Sequence, residues 1–330
     1  MQLREAVANF TQGYFWTCNR SEKTRIAYET DLMQLRSALG DSVPLQKICA
    51  DSLERWAQDL RSNGYAPASI RRKFATAGVF FSYFVRKGLI EQSPLWRIRL
   101  HLGCQPLLPR NLKQSDVKKL IEEVWRVADP ASSLPCSPRD PDFLALRNVA
   151  VIEILFATGI RAGEIVSLCL KDWNAEDSTF IVMGKGSRQR LAVMPDERSK
   201  RAVEVYLVRR RALKLGHDAL LANASGDRLS TQGVARIVSF AAKNAGLEYK
   251  VTPHMVRHTV ATLLLRCGAD IRIIQEVLGH ASITTTQRYT HVSKEHLLST
   301  LHVQHPNHHL GIETEIYASR SQLLLPLAWE

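Results

Sequence analysis

Six side chains between residues 161 and 289 have the types and spacing to do chemistry together. Residues 252–292 read TPHMVRHTVATLLLRCGADIRIIQEVLGHASITTTQRYTHV. His254 and Arg257 stand three apart behind Thr252-Pro253, a cap followed by a first-turn proline, so both leave one face of a helix. Gly268 breaks that helix, Asp270 caps the next, and Gly279 ends it with His280 at its exit and Tyr289 beyond. Upstream, ATGIRAGEI sets Arg161 just past a glycine break, and MGKGS sets Lys185 between two glycines of a turn. Arginine forks bind oxyanions, histidine and lysine move protons, and tyrosine attacks once its hydroxyl is helped to ionise.

Taken singly, each residue has a plainer reading. Arg161 is then a surface arginine beside Glu164, Lys185 a turn lysine, His280 a helix-terminal histidine and Tyr289 a half-buried packing side chain. His254 and His258 have the i,i+4 spacing of metal ligands. HMVRH nevertheless lacks the glutamate of H-E-x-x-H, and no third ligand stands beside it. Only the order and spacing of the set make a case.

In that order and spacing the chain resembles the tyrosine recombinase (phage integrase) family, close to its Xer-like bacterial members. The resemblance spans roughly residues 10–300 and rests on SEKTRIAYETDL, ATGIRAGEI, the GKG turn, TPHMVRHTVAT and LGHASITTTQRYTHV. It implies that Arg161 and Arg257 clamp the scissile phosphate. It also implies that Lys185 is the hairpin lysine, that His254 and His280 are the active-site histidines, and that Tyr289 is the nucleophile. The reaction implied is cutting and rejoining of duplex DNA through a 3′-phosphotyrosyl intermediate and a Holliday junction, without metal, ATP or other cofactor. The physics agrees. Two permanently charged forks neutralise a phosphodiester without a metal, and a phosphotyrosyl link conserves the energy of the broken bond. Glu164, three after Arg161, supports the structure rather than reacting.

The elements that must position these residues are mostly helical. Apolar periodicity predicts helices over 21–39 (capped by Ser21, with Ile26, Leu32, Leu35 and Leu39 on one face), 51–61 and 68–87, a bundle filling residues 1–100. Residues 93–110 are basic and proline-punctuated, and 101–110 serve as the linker. Beyond it come a helix at 115–127, an exposed four-proline loop at 129–142, and a buried helix at 145–158 stopped by Gly159. A hairpin of 179–183 and 191–194 follows, then helices at 199–215, 231–245, 254–267 and 271–278. The expected fold class is mainly α with a small antiparallel β-sheet (α+β): a helical N-terminal DNA-binding domain and a tyrosine-recombinase catalytic domain at 111–300. Residues 301–330 form a tail with two readings: the resemblance implies docking on a neighbouring subunit, and the alternative is a tail that packs on its own domain or is disordered.

The balance of charge fits a polyanionic partner. The 330 residues carry a net charge of +12 and a pI near 9.6, and half of the surplus falls in residues 1–106. The alternative on charge alone is a basic, soluble surface. The run Arg71, Arg72 and Lys73 opens the third helix; with Arg97, Arg99 and Arg110 around the linker and Arg188 in the hairpin turn, it is the candidate DNA-contacting set. The six cysteines form no C-x-x-C pair and read as reduced thiols. The first residues lack a signal-peptide pattern, and no run of apolar residues is long enough to span a bilayer, so a cytoplasmic, nucleoid-associated protein without a membrane partner is expected. The implied partners are a double-stranded site with inverted repeats and a tetramer of identical or related subunits on two such sites. Two other functions remain open from the sequence: DNA relaxation of the type IB topoisomerase kind, and a non-catalytic DNA-binding factor. If the surplus charge meets phosphates, the logarithm of the DNA association constant falls steeply and linearly with the logarithm of salt concentration in a binding titration. A flat response would reduce the surplus to a soluble surface.

Overall fold

The computed structural model describes residues 1–18, 22–98, 100, 111–184, 189–279, 301, 303 and 305–310, which fall in two units, Met1–Leu107 and Leu108–Glu330. The first unit contains α1 (Leu3–Thr17), α2 (Glu22–Leu39), α3 (Ala50–Ser62) and α4 (Pro67–Arg86). The three helices expected from periodicity are α2, α3 and α4; Ser21 lies outside the described residues. Helix α1 is additional. Its signal was present in Leu3, Ala6, Val7, Phe10 and Tyr14 at helical spacing, but Gly13 and a Tyr-Phe-Trp run with strand preference obscure it. Gly13 lets the Tyr83 hydroxyl lie against the helix, where an added Cβ would displace it. Phe10 is the hub of the core: it stacks on Tyr14 at 4.8 Å and meets Phe80 and Tyr83 edge-on at 5.4 and 5.3 Å.

The basic run on α4 divides. Helix α4 buries Ile70, Lys73, Phe74 and Ala77 at i, i+3, i+4 and i+7, so position 73 belongs to the inward stripe. Lys73 therefore corrects the sequence expectation. Its side chain is 3% exposed and its ammonium donates to the buried Asp31 of α2 at 3.1 Å, facing the core and not a DNA partner. Arg72 donates to the same carboxylate from a half-exposed position, and Thr76 adds a bond at 3.0 Å. Arg71 is exposed, and Arg97 lies over the Trp96 ring at 4.7 Å; Arg99 and Arg110 fall outside the described residues.

In the second unit α5 (Gln114–Val127) and α6 (Pro141–Thr158) are followed by the short α7 (Ala162–Ser167). Strands β1 (Trp173–Asn174), β2 (Thr179–Met183) and β3 (Gln189–Val193) form an antiparallel sheet in the order β1-β2-β3. Helices α8 (Glu197–Ala212), α9 (Thr231–Asn244), α10 (Pro253–Arg266) and α11 (Ile271–Leu278) complete it. The core centres on α6, buried on almost every side from Val149 to Thr158 and packed against α5, α8, α9 and α10. Helix α6 starts four residues before its expected start because Asp140 caps it, accepting from the Asp142 and Phe143 amides, with Pro141 in its first turn. The preceding proline-rich loop is less exposed than its composition suggests. Pro130 and Pro135 are buried, and Arg209 of α8 donates to the carbonyls of Pro130 and Ser132 at 2.6 and 2.7 Å. Part of the expected tail is core as well: Leu301 and Leu310 are buried, and Asn307 donates to Asp196 at 2.6 Å.

The Asp31 network yields a direct test. Asp31→Ala leaves a buried ammonium without its anion and lowers the stability of the first unit by about 3 kcal/mol in denaturant unfolding. Adding Lys73→Met recovers most of that loss. A single-variant loss below about 0.5 kcal/mol, as at an ordinary surface site, contradicts the network.

Candidate active site

Four local features place the arginines. Gly159 ends α6 in the left-handed region at φ +58°, and a Cβ there would lie 2.7 Å from Leu278 of α11, so only glycine fits on both counts. Arg161 follows as the N-cap of α7, with Glu164 at its third position, the expected supporting residue. Thr252 caps α10 by accepting from the Met255 amide, which sets His254 and Arg257 in the first turns. Asp270 caps α11, and Gly279 ends it in the left-handed region at φ +61°. Apart from α7, a helix that periodicity does not predict, these starts and stops are the ones expected from the sequence.

The end of α11 organises the site. Its last carbonyls have no helical partner. Val277 O accepts from Arg190 Nε at 3.0 Å, Leu278 O from Arg257 Nη2, and Gly279 O from Arg161 Nη2 at 3.2 Å. Arg257 Nη1 reaches back to Gly159 O at 2.7 Å and so joins the ends of α6 and α11. Glu164 is the one carboxylate bonded to this set among the described residues. Its Oε1 accepts from Arg161 Nη1 at 2.6 Å; its Oε2 accepts from Arg190 Nη2 at 2.8 Å and from the Arg161 amide at 3.1 Å.

The charges are unbalanced. Three guanidinium groups meet one carboxylate and the negative end of a helix dipole. Burial pushes the Glu164 carboxyl up. The Arg190 charge, then the bonds from Arg161 and Arg190, more than reverse this and hold it below the ordinary carboxylate range. Arg257 is 6% exposed, and burial, followed by the neighbouring Arg161 charge, draws its guanidinium down to about 10, with Glu164 opposing and Arg190 adding to the fall. It remains charged at neutral pH. Arg161 is the accessible member, with its side chain 42% exposed. Such a site is set to receive an anion with several oxygens.

Of the expected catalytic residues, the structure brings Arg161 and Arg257 together on adjacent carbonyls and leaves His254 exposed on the first turn of α10. Lys185, His280 and Tyr289 lie outside the described residues, as does Arg188 of the DNA-contacting set. Sequence reading missed Arg190 by starting its strand at Leu191. The register shows what it overlooked: Arg190 pairs with Val182 and Ala192 with Phe180, so Arg190 occupies the sheet face that carries buried Phe180 and Val182.

Comparison with known proteins adds a second line. The family model described as "Phage integrase family" matches residues 111–296, and that of the phage integrase N-terminal SAM-like domain matches residues 7–88. A tyrosine recombinase XerC of Listeria monocytogenes serotype 4b (strain F2365) is 33% identical over 294 residues, covering 87% of this chain and 93% of its own. A tyrosine recombinase XerD of Halalkalibacterium halodurans is 33% identical over 290 residues, covering 87% and 89%. Among solved structures, the Tn1549 transposon integrase in complex with circular intermediate DNA aligns at a TM-score of 0.67 and 18% identity over 91% of this chain and 98% of that one. A lambda integrase tetramer bound to a Holliday junction aligns at 0.64 and 21% over 87% and 80%. At these identities the structural likeness is one of fold.

Because the Glu164 carboxyl is held below its ordinary value, its ion pairs stabilise the fold fully above the unfolded value near 4.5 and fade as pH falls through the lowered folded value. Glu164→Gln therefore melts lower than the parent at neutral pH, by roughly 3 kcal/mol of stability. The gap narrows as pH falls below 4.5 and closes once pH is below the lowered folded value, where the parent carboxyl is itself neutral. A gap that stays constant with pH contradicts the assignment.

Proposed function

The chain belongs to the phage integrase family of tyrosine recombinases, and from that premise we propose a strand-transfer mechanism in which Tyr289 is the nucleophile and Arg161 and Arg257 hold the scissile phosphate. The activity is site-specific recombination: one DNA strand is cut, the energy of its phosphodiester is kept in a protein–DNA ester, and a different end is joined. In the first step the Tyr289 hydroxyl oxygen attacks phosphorus, the P–O5′ bond breaks, and a 3′-phosphotyrosyl link forms. The tyrosyl proton passes to His254, the departing 5′ oxygen takes a proton from Lys185, and His280 donates a hydrogen bond to the phosphate. In the second step a 5′ hydroxyl attacks the link and the same transfers run backwards. Both transition states gather charge on the non-bridging oxygens, where preorganised guanidinium groups act most strongly.

One observation carries this reading. Arg161 and Arg257 are fixed on the adjacent carbonyls Gly279 and Leu278, with fewer carboxylates than cations around them. Like charges in that arrangement favour a bound anion, and rigidly anchored forks lose little freedom on binding it. The substrate we propose is a double-stranded site with inverted repeats, held by four copies of this or a related chain on two sites in the nucleoid. The relatives called tyrosine recombinases at 33% identity support the reaction, and the like-folded lambda integrase, a tetramer bound to a Holliday junction, supports four copies. Arg71, Arg72 and Arg97 of the first unit, with Arg99, Arg110 and Arg188, are proposed phosphate contacts.

Incubation with a nicked suicide substrate should trap protein covalently on DNA. Tyr289→Phe abolishes the adduct, and an adduct that persists in that variant refutes the nucleophile. Arg257→Ala and Lys185→Ala retain DNA binding while losing cleavage by about 10³-fold. Loss of binding instead would give those residues a structural role.

A further inference from the structure

Arg190 is an unusual residue for its place. Its register position faces the core opposite Val182, where an apolar side chain would ordinarily stand. The side chain is only 7% exposed, and its Nη1 is buried without a hydrogen-bond partner among the described residues. Burying a guanidinium with part of its fork unsatisfied costs stability. The remaining two nitrogens are committed: Nε to Val277 O at 3.0 Å and Nη2 to Glu164 Oε2 at 2.8 Å. Its stem also fills the space beside Gly279, where a Cβ would come within 3.0 Å of Arg190 Cδ.

These contacts lead to one place. Glu164 holds both the amide and the guanidinium of Arg161, and the residue after Val277 and Leu278 is the one whose carbonyl takes the other arm of Arg161. We infer that Arg190 is a positioning residue for strand cleavage: it locks Glu164 and the end of α11 against each other and thereby fixes the fork that Arg161 presents to the phosphate. This rests on the reading of Arg161 and Arg257 as phosphate ligands. Arg190 acts through Glu164 and the end of α11, to which its Nη2 and Nε are committed. Lysine cannot replace it, since one ammonium on a flexible stem cannot span a helix-end carbonyl and a carboxylate in a fixed plane. Methionine can fill the same volume and Glu164 keeps Arg161 as its partner, so the chain still folds, at some cost in stability, while the positioning is lost.

The test compares the parent, Arg190→Met and Arg190→Lys in single-turnover adduct formation on a suicide substrate, with DNA affinity and melting measured alongside. Arg190→Met should melt below the parent, because Glu164 keeps only Arg161 as its partner, yet at a temperature where both are folded it should bind DNA as the parent does and cleave about 10²-fold more slowly, the cost expected of a misplaced catalytic group. Arg190→Lys should recover only part of the rate. A cycle with Glu164→Gln should show that the double variant cleaves no more slowly than the slower single one, because both changes free the same fork. The pH profile adds a readout that a packing role would not move. Glu164 faces Arg161 at the start of α7, Arg190 on β3 and Arg257 on α10. Removing Arg190 takes away the strongest charge holding its carboxyl down, so the acid limb of cleavage shifts to higher pH. A parent that forms no adduct refutes the strand-transfer reading and this role with it. A parent that cleaves while Arg190→Met cleaves within about twofold of it, or losses that multiply in the double variant, refute this role alone.

Discussion

Three consecutive carbonyls at the end of one short helix take three arginines. Val277, Leu278 and Gly279 of α11 bind Arg190, Arg257 and Arg161, which come from a strand, a helix and a helix cap far apart in the chain. A helix leaves its last carbonyls unsatisfied, and its dipole makes that end negative. Here both properties are used at once. The carbonyls fix the directions of the forks, and the dipole helps to offset the repulsion of three cations that share one carboxylate.

Much of the second unit follows from keeping that turn in register. Gly159 lets α6 end within contact of Leu278 and offers its carbonyl to Arg257. Gly279 turns the chain away and makes room for the stem of Arg190. Glu164 spans Arg161 and Arg190 from the first turn of α7, and its lowered pKa records how strongly the surroundings favour its charged form. Behind the site, α6 is buried almost completely, and Glu153 within it accepts from Trp125 of α5 and Arg198 of α8. The scaffold is thus rigid where three cations must be held a fixed distance apart, which is what transition-state stabilisation by preorganised charge demands.

The legible part of the molecule was the part written in local signals. Thr252-Pro253, Asp270, Gly159 and Gly279 mark helix ends by chemistry confined to a few residues, and all four do so in the structure. The hairpin, too, was readable from its β-branched run. What escaped depends on partners distant in sequence. Helix α1 rests on an aromatic core completed by Tyr28, Phe80 and Tyr83. Lys73 turns inward because Asp31, on another helix, is there to receive it. Arg190 became visible only through its pairing with Val182, since a strand begun at Leu191 leaves residue 190 in the turn and assigns it no face of the sheet. The fold class and the pair Arg161 and Arg257 were legible; the side chain that braces them was not.

The shared helix end can be observed without DNA. Nitrogen-15 spectra of arginine-labelled protein, assigned with Arg→Lys changes at positions 161, 190 and 257, report rotation about each guanidinium's Cζ–Nε bond. Arg190 and Arg257, anchored on Val277 O, Leu278 O, Gly159 O and Glu164, should show slowed rotation and separate Nη signals. Guanidinium groups that rotate as freely as those of exposed arginines would mean that the carbonyls of α11 do not hold them.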